Sequence, residues 1–443
     1  VKDWSAEAQC SPFTPKFDLN MDEVHICPND TVEFQTTFVP PQSGGMEINM
    51  ENNNISVYPT VYIAPADSYE YDTVAAALDI LLHSEELSSA LSKIRAGMTV
   101  GIKANLVSAL APDKAATTHP ELICALVRRL RERGANVIIG DSPGGLYTEA
   151  FLNHVYNSTG MVAAVEAGAV LNDDFGQADA VFGGAAVLKT FTYTSWLDKC
   201  DFIINFSKLK SHGMMGMSAA AKNMFGVIPG TMKPEYHFRF PNMPDFSNML
   251  VDIDEYFADK TLLCIVDAIE GMEGNGPTKG TPRHIGVLAA CTSPHVLDVV
   301  CAKLISLECD SVPTLLAARQ RRLIPDSADG VGVCICGEGS LDGYAVKDYK
   351  NIAVRHGMLF DSHGKWISSV LRRLLESRPV LQGKDCVGCG KCRDICPSKA
   401  ITIRDKKAII DRSLCIKCFC CQEFCPTGAM KVHRTLIAKM LVK

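Results

Sequence analysis

Several absences narrow the reading before any motif is considered. No stretch of the 443 residues approaches the ~18–20 consecutive apolar positions of a membrane helix, so no span is expected. There is no excess of positive charge: the formal net charge is −6, and no global basic field points to nucleic acid. The first residues, VKDWSAEAQCSPF, lack the basic stretch and apolar core of a secretory signal. With no sign of export, a cytoplasmic location is the expectation. A Walker-type phosphate loop, G-x4-G-K-S/T, is missing, and so is G-x-G-x-x-G opening a helix after a first strand, the mark of a nicotinamide site. The remainder has an ordinary globular balance, 47% hydrophobic and 21% charged, and a length sufficient for two or three domains.

Cysteine, by contrast, is plentiful. Nineteen are present, and eight of them fall in two blocks near the end, CVGCGKCRDICP at 386–397 and CIKCFCCQEFCP at 415–426. Each reads C-x2-C-x2-C-x3-C-P. A tight C-x2-C-x2-C loop delivers three thiolates to one cubane cluster, and the fourth cysteine, before proline, crosses to the other cluster. The expectation is therefore two 4Fe–4S clusters, one on Cys386, Cys389, Cys392 and Cys425, the other on Cys415, Cys418, Cys421 and Cys396. Zinc in a double knuckle would not need the x3-C-P ending in both blocks. Glycines 388 and 390 let the chain wrap closely. Cys420 is extra and receives no role. Several of the remaining cysteines, such as Cys264 in LLCIVDA and Cys334 in VGVCICG, sit in apolar runs and read as small buried hydrophobes.

The chain before the blocks divides by pattern. Residues 1–56 are rich in proline, asparagine and glycine (PPQSGG, ENNN) and read as a poorly structured extension. Met46 follows the glycine pair and offers an alternative start, with residues 1–45 upstream of it. From 57 to 350, short apolar strands alternate with amphipathic helices. Examples are the strand TVGIKAN at 99–105, the helix THPELICALVRRLRERG at 118–134 and the strand NVIIGDS at 136–142. DFIINFS at 201–207 reads as a strand and GMSAAAKNMFG at 216–226 as a helix. This alternation predicts an α/β domain with a mostly parallel sheet and flanking helices. Residues 351–380 form a linker with a basic helix, KWISSVLRRLLESR, and 381–434 a small α+β ferredoxin-like two-cluster domain.

Polar residues interrupt the α/β pattern where strands end, and there ligands bind in open sheets. IKANL carries Lys103 and Asn105. GDSPGG carries Asp141 and Ser142, and its glycines and free amides suit an anion, although the same residues make an ordinary turn. SKLKSHGMMGMSAAAKNMFGVIPG carries Lys208, Lys210, His212, Lys222 and Asn223 among small and apolar residues. A buried lysine requires a carboxylate or an anionic ligand, and the structural alternative is an ion pair with Asp141 or Asp267. His212, Lys222 and Asp141 are the catalytic candidates. Lys103, Asn105, Ser142, Lys208, Lys210 and Asn223 are the substrate-binding candidates. Asp267, Glu270 and Glu273 offer carboxylates for a divalent cation.

KSHGMMGMSAAAKNMFGVIPG, IKANLVS with the later TTHPEL, GDSPGG and GMEGNGPTKG resemble the domain-of-unknown-function family numbered 362. CIKCFCCQEFCPTGAM is similar to the ferredoxin module often fused to it. The likeness covers about 57–434. It implies an α/β domain joined to two 4Fe–4S clusters, and brings no agreed substrate. Ala104 departs from the proline common at that place. The expected function is an oxidoreductase in which the clusters pass electrons to a small anionic substrate or cofactor on the α/β domain, with His212 as first choice of proton donor. A redox partner protein is also expected. The alternatives are an electron-transfer or assembly partner without its own substrate, and a non-redox lyase or isomerase with structural clusters.

Overall fold

A computed structural model describes residues 58–352 and 377–433. The linker helix expected at 365–378 lies almost wholly outside the described residues, as does the extension before residue 58. Fifteen strands are described: β1 Val61–Pro65, β2 Thr99–Lys103, β3 Asn136–Gly140, β4 Val170–Leu171, β5 Gln177–Val181, β6 Thr190–Thr194, β7 Phe202–His212, β8 Gly216–Ser218, β9 Thr261–Glu273, β10 Thr281–Cys291, β11 Val333–Ile335, β12 Arg378–Leu381, β13 Ile401–Arg404, β14 Lys407–Ile410 and β15 Met430–His433. The helices needed below are α1 Tyr71–Leu82, α2 Pro120–Glu132, α3 Glu149–Ser158, α4 Ala220–Asn223, α5 Lys233–Arg239, α6 Met243–Tyr256, α7 Pro294–Leu304, α8 Pro313–Gln320, α9 Lys391–Asp394 and α10 Cys420–Glu423.

The central sheet runs β11-β1-β10-β9-β7-β2-β3-β4, with β8 paired to β7. The pairs β1–β11, β9–β7, β7–β2, β2–β3 and β3–β4 are parallel, and β10 runs antiparallel to both neighbours. The sheet is thus mostly parallel, with helices on both faces. Helices α1, α2 and α3 bury Leu78, Leu126 and Val155 on one face; α7 and α8 bury Val299 and Leu315 on the other. A third apolar group joins α6 (Phe246, Leu250) to Trp196 and Phe225, and Phe419 of the cysteine-rich tail packs into it.

The alternation expected from sequence holds for most elements, and α2 begins where expected, with His119 capping and Pro120 in its first turn. Two elements differ. Strand β7 continues past Ser207 through all of SKLKSH, because its lysines alternate with apolar or small residues and lie buried rather than breaking the strand. The helix expected over 216–226 is instead strand β8, the single turn α4 and a short 3-10 turn. Gly216 takes a positive φ of 72° and turns the chain back onto β7, so Met217 and Ser218 pair with Ser211 and Lys210. Cys264 is buried as expected, but Cys334 is exposed because β11 is an edge strand.

Candidate functional site

Alternation along β7 sends Lys208, Lys210 and His212 to one side of the strand. Their surroundings separate their roles. Lys208 is closed into a structural ion pair: its Nζ lies 2.9 Å from Asp267 Oδ2 and 2.6 Å from Tyr69 Oη. Lys103 at the end of β2 is closed likewise, 2.8 Å from Asp141 and 2.8 Å from the Ala104 carbonyl. Ser142 is buried, accepting at Oγ from the Gly230 amide and at its carbonyl from Lys233. None of these three lines the cavity described next; each already has its partners.

Lys210, Asn105, Asp141, Lys222 and Asn223 do line a common cavity of about 240 Å³. Lys210 donates to Asn105 Oδ1 at 2.5 Å and to the Ala116 carbonyl at 2.7 Å. Asn223 accepts from Asn105 and Lys103 and donates to Asn205 Oδ1 at 2.8 Å. Among the described residues the Lys222 ammonium has no hydrogen-bond partner; it stands 5.7 Å from the Phe225 ring centre. Two further residues of this wall, Lys233 and His237 on α5, belong to no motif in the sequence. The only signal was their spacing of four on one short helix, which is common on any helix.

The opposite wall comes from the tail. Cys420, Glu423, Phe424, Cys425 and Pro426 face the lysines across the cavity. Glu423 Oε1 lies 3.0 Å from His212 Nε2, and His212 Nδ1 accepts from the amides of Met214 and Met215 at 3.1 Å. His212, the expected proton donor, therefore stands behind the cavity with both nitrogens engaged. Gln422 donates to the carbonyls of Gly276 and Asn275, seating the tail on the loop after β9. Gly144 of GDSPGG meets the Phe424 ring, which a Cβ there would strike at 2.3 Å. The loop amides are used internally, Ser142 to Gly226 and Gly144 to Val107. Of the loop's glycines, Gly144 admits the tail, while Gly140 makes room for Trp196 and Gly145 for Phe151.

Burial pushes the Lys210 ammonium down to about 7, with Lys222 beside it, and the Lys233 ammonium down to about 8. Burial also lowers Lys222, with Glu423 opposing. His212 is pushed down to about 4 and His237 to about 3, both by burial first, so both are neutral at pH 7. The wall is therefore rich in ammonium groups that shed protons easily, an arrangement that suits an anion. Asp267, Glu270 and Glu273 do not converge: they pair with Lys208, His284 and Lys350 respectively. Among the described residues no group of three or more metal-ligating side chains is placed to hold a single ion.

Cys392 has Cys425, Cys389 and Cys386 as electrostatic neighbours, and Cys415 has Cys418 and Cys396. The first set lines its own small cavity with Leu381, Ile403, Ala408 and Met430. Gly388 and Gly390 have φ of 69° and 80°, and Lys417 and Phe419, at the same places in the second block, have 58° and 60°. Both loops share one backbone path, and a Cβ at 388 would lie 2.8 Å from Lys406 Cα. Four cysteines lining one small apolar cavity fit a cubane cluster, and in the other expected set the Ala400 amide lies 3.3 Å from Cys396 Sγ.

Fold and tail together define an iron–sulfur protein with an α/β domain. Residues 100–303 match the family described as domain of unknown function (DUF362), and 385–429 match the 4Fe-4S dicluster domain. The chain is 30% identical over 276 residues to the thylakoid-associated protein sll1697 of Synechocystis sp. (strain ATCC 27184 / PCC 6803 / Kazusa), covering 61% of this chain and 82% of that one. It belongs to the DUF362 family. A solved structure, the lactate racemase apoprotein from Thermoanaerobacterium thermosaccharolyticum, aligns at 10% identity with a TM-score of 0.36. That alignment covers 59% of this chain and 60% of the other. No described helix is long and apolar enough to cross a membrane.

Proposed function

We propose that this protein is an oxidoreductase that carries two 4Fe–4S clusters and acts on a small anionic substrate, or an added anionic cofactor, in the cavity between the α/β domain and the tail. One observation carries the reading: Lys210, Lys222 and Lys233 line the same cavity as Cys425, one of the eight block cysteines. The bound clusters supply electrons one at a time at low potential. Lys222, without another partner, is the principal anion contact, and Lys210 and Lys233 flank it. Asn105 and Asn223 hold Lys210 and the Lys103–Asp141 pair in place. Phe225 and Phe424 narrow the cavity and limit water. Lys210, held near neutrality, is suited to give or take a proton; His212 acts behind it by positioning Glu423. A cytoplasmic setting, which keeps thiols reduced, and a redox partner protein complete the proposal.

The test is anaerobic purification, mass spectrometry of co-purified small molecules and dithionite titration. The expected result is an organic anion released by denaturation, absent or much reduced in Lys222→Gln, and clusters that bleach reversibly. Clusters that dithionite cannot reduce would sink the redox reading.

A further inference from the structure

The tail differs in charge from the rest of the chain. Over 381–433 there are ten lysines and arginines against five aspartates and glutamates, a formal +5 in a chain whose total is −6. Part of this charge, four basic residues against two aspartates, surrounds the loop that carries Cys386 and Cys389. Lys406, at the β13–β14 turn, lies against that loop: its carbonyl is 3.8 Å from Cys386 Sγ, and its backbone packs on Gly388. Lys407 Nζ is 3.8 Å from where a Cβ on Gly383 would sit, which places it beside Lys384. Lys384, Arg404, Lys406 and Lys407 are all exposed, and none forms an ion pair among the described residues. Asp385 and Asp405 are the acidic groups on the same loops, so the basic excess remains. At the centre Val387 is 64% exposed and Cys389 is exposed, giving an apolar spot directly over a cluster-ligand loop. The far side of this cysteine set faces the lysine-lined cavity through Cys425.

We infer that the Val387–Cys389 loop, with Lys384, Arg404, Lys406 and Lys407 around it, is the docking face for an acidic one-electron carrier protein of the flavodoxin or ferredoxin kind. A small apolar centre ringed by lysines suits a transient complex: the charges steer a carboxylate-rich partner, and the limited apolar contact lets it leave. The clusters bring negative charge of their own, but beneath the loops; the ammonium groups are the outermost charges a partner meets. In the encounter one electron leaves the carrier and one arrives at the cluster held by Cys386, Cys389, Cys392 and Cys425. No bond is made and no proton moves. This inference rests on the redox reading above, and its test is separate.

The probe is an acidic flavodoxin, titrated calorimetrically into the anaerobically purified holoprotein. Saturable binding is expected at low ionic strength, weakening at least tenfold when salt shortens the screening length from about 30 Å to about 10 Å. The double variant K406E/K407E should bind at least tenfold more weakly at low salt, with unchanged iron content and dithionite bleaching. K93E/K189E, which changes the net charge equally on the α/β domain, should bind like the parent. Carbodiimide coupling should join flavodoxin carboxylates to Lys384, Lys406 or Lys407. No binding by the parent, equal binding by K406E/K407E, or equal weakening in K93E/K189E would overturn the docking face. Clusters that dithionite cannot reduce would defeat the redox reading instead, leaving these binding outcomes to be judged independently.

Discussion

Glu423 Oε1 stands 3.0 Å from His212 Nε2, and this contact joins the cysteine-rich tail to the end of β7. Burial alone would raise Glu423, but His212 and Lys222 around it hold the carboxyl down to about 2. The tail thus contributes a carboxylate to a wall of lysines. The site is shared by two parts of the chain that the sequence presents as separate modules.

His212→Ala removes that contact and also the acceptor for the Met214 and Met215 amides. Two buried amides left without partners cost about 1–3 kcal/mol each. Full iron and sulfide content is expected, with turnover reduced at least tenfold and a lower thermal midpoint. Retained turnover with full clusters would remove His212 from the site's working parts.

Anion affinity should fall as pH rises. Burial holds the Lys210 ammonium down to about 7 and the Lys233 ammonium down to about 8. A bound anion favours their protonated forms, so binding takes up protons above pH 7. Calorimetric titration with inorganic phosphate or sulfate should show about tenfold weaker binding at pH 9 than at pH 7, and Lys210→Met should flatten the profile. The stability sign runs the other way. Both folded-state values lie below the unfolded lysine value, so above pH 7 the unfolded chain holds more protons, and these two groups favour folding increasingly up to about pH 10.

Asn223 sits at the centre of a buried amide network, accepting from Lys103 and Asn105 and donating to the Lys103 carbonyl and Asn205. Asn223→Ala removes all four bonds; Lys103 keeps Asp141 and the Ala104 carbonyl, while Asn105 Nδ2 and Asn205 Oδ1 lose their partner. A loss of about 2–4 kcal/mol is expected by thermal or denaturant unfolding. Asn223→Asp should be partly tolerated, because it keeps the acceptors for Lys103.

The cysteines give an independent check. Cys420 is buried and belongs to neither expected ligand set, but its thiol hydrogen-bonds Cys418 of the second, so Cys420→Ala should retain full iron and leave the spectrum of the first cluster unchanged. Cys425→Ala should disturb the cluster that also uses Cys386, Cys389 and Cys392, and Cys396→Ala the other. Iron content and low-temperature paramagnetic resonance distinguish the two. Equal loss in both sets after Cys425→Ala would contradict the crossing assignment.

Much of the architecture was legible without coordinates. The repeated C-x2-C-x2-C-x3-C-P spacing identifies the 4Fe–4S module because a short loop can bring three sulfurs to one point with little else required. The alternation of apolar strands and amphipathic helices specifies a mostly parallel sheet for the same local reason. Buried lysines around 208–223 marked the region of the site, since unpaired charge there is costly.

Which lysine faces a ligand was not local information. Lys103 and Lys208 look no different in sequence from Lys210 and Lys222; only the meeting of Lys103 with Asp141 and Lys208 with Asp267 removes the first two from the cavity. Lys233, His237 and Glu423 carry no motif, and the fold alone brings them together. The amino-acid order by itself determined the 4Fe–4S module, the class of fold and the presence of costly buried charge, each of which depends on short-range spacing or composition. Tertiary structure decided which charges neutralise one another and which remain for a ligand, because that depends on distances between residues far apart in the chain.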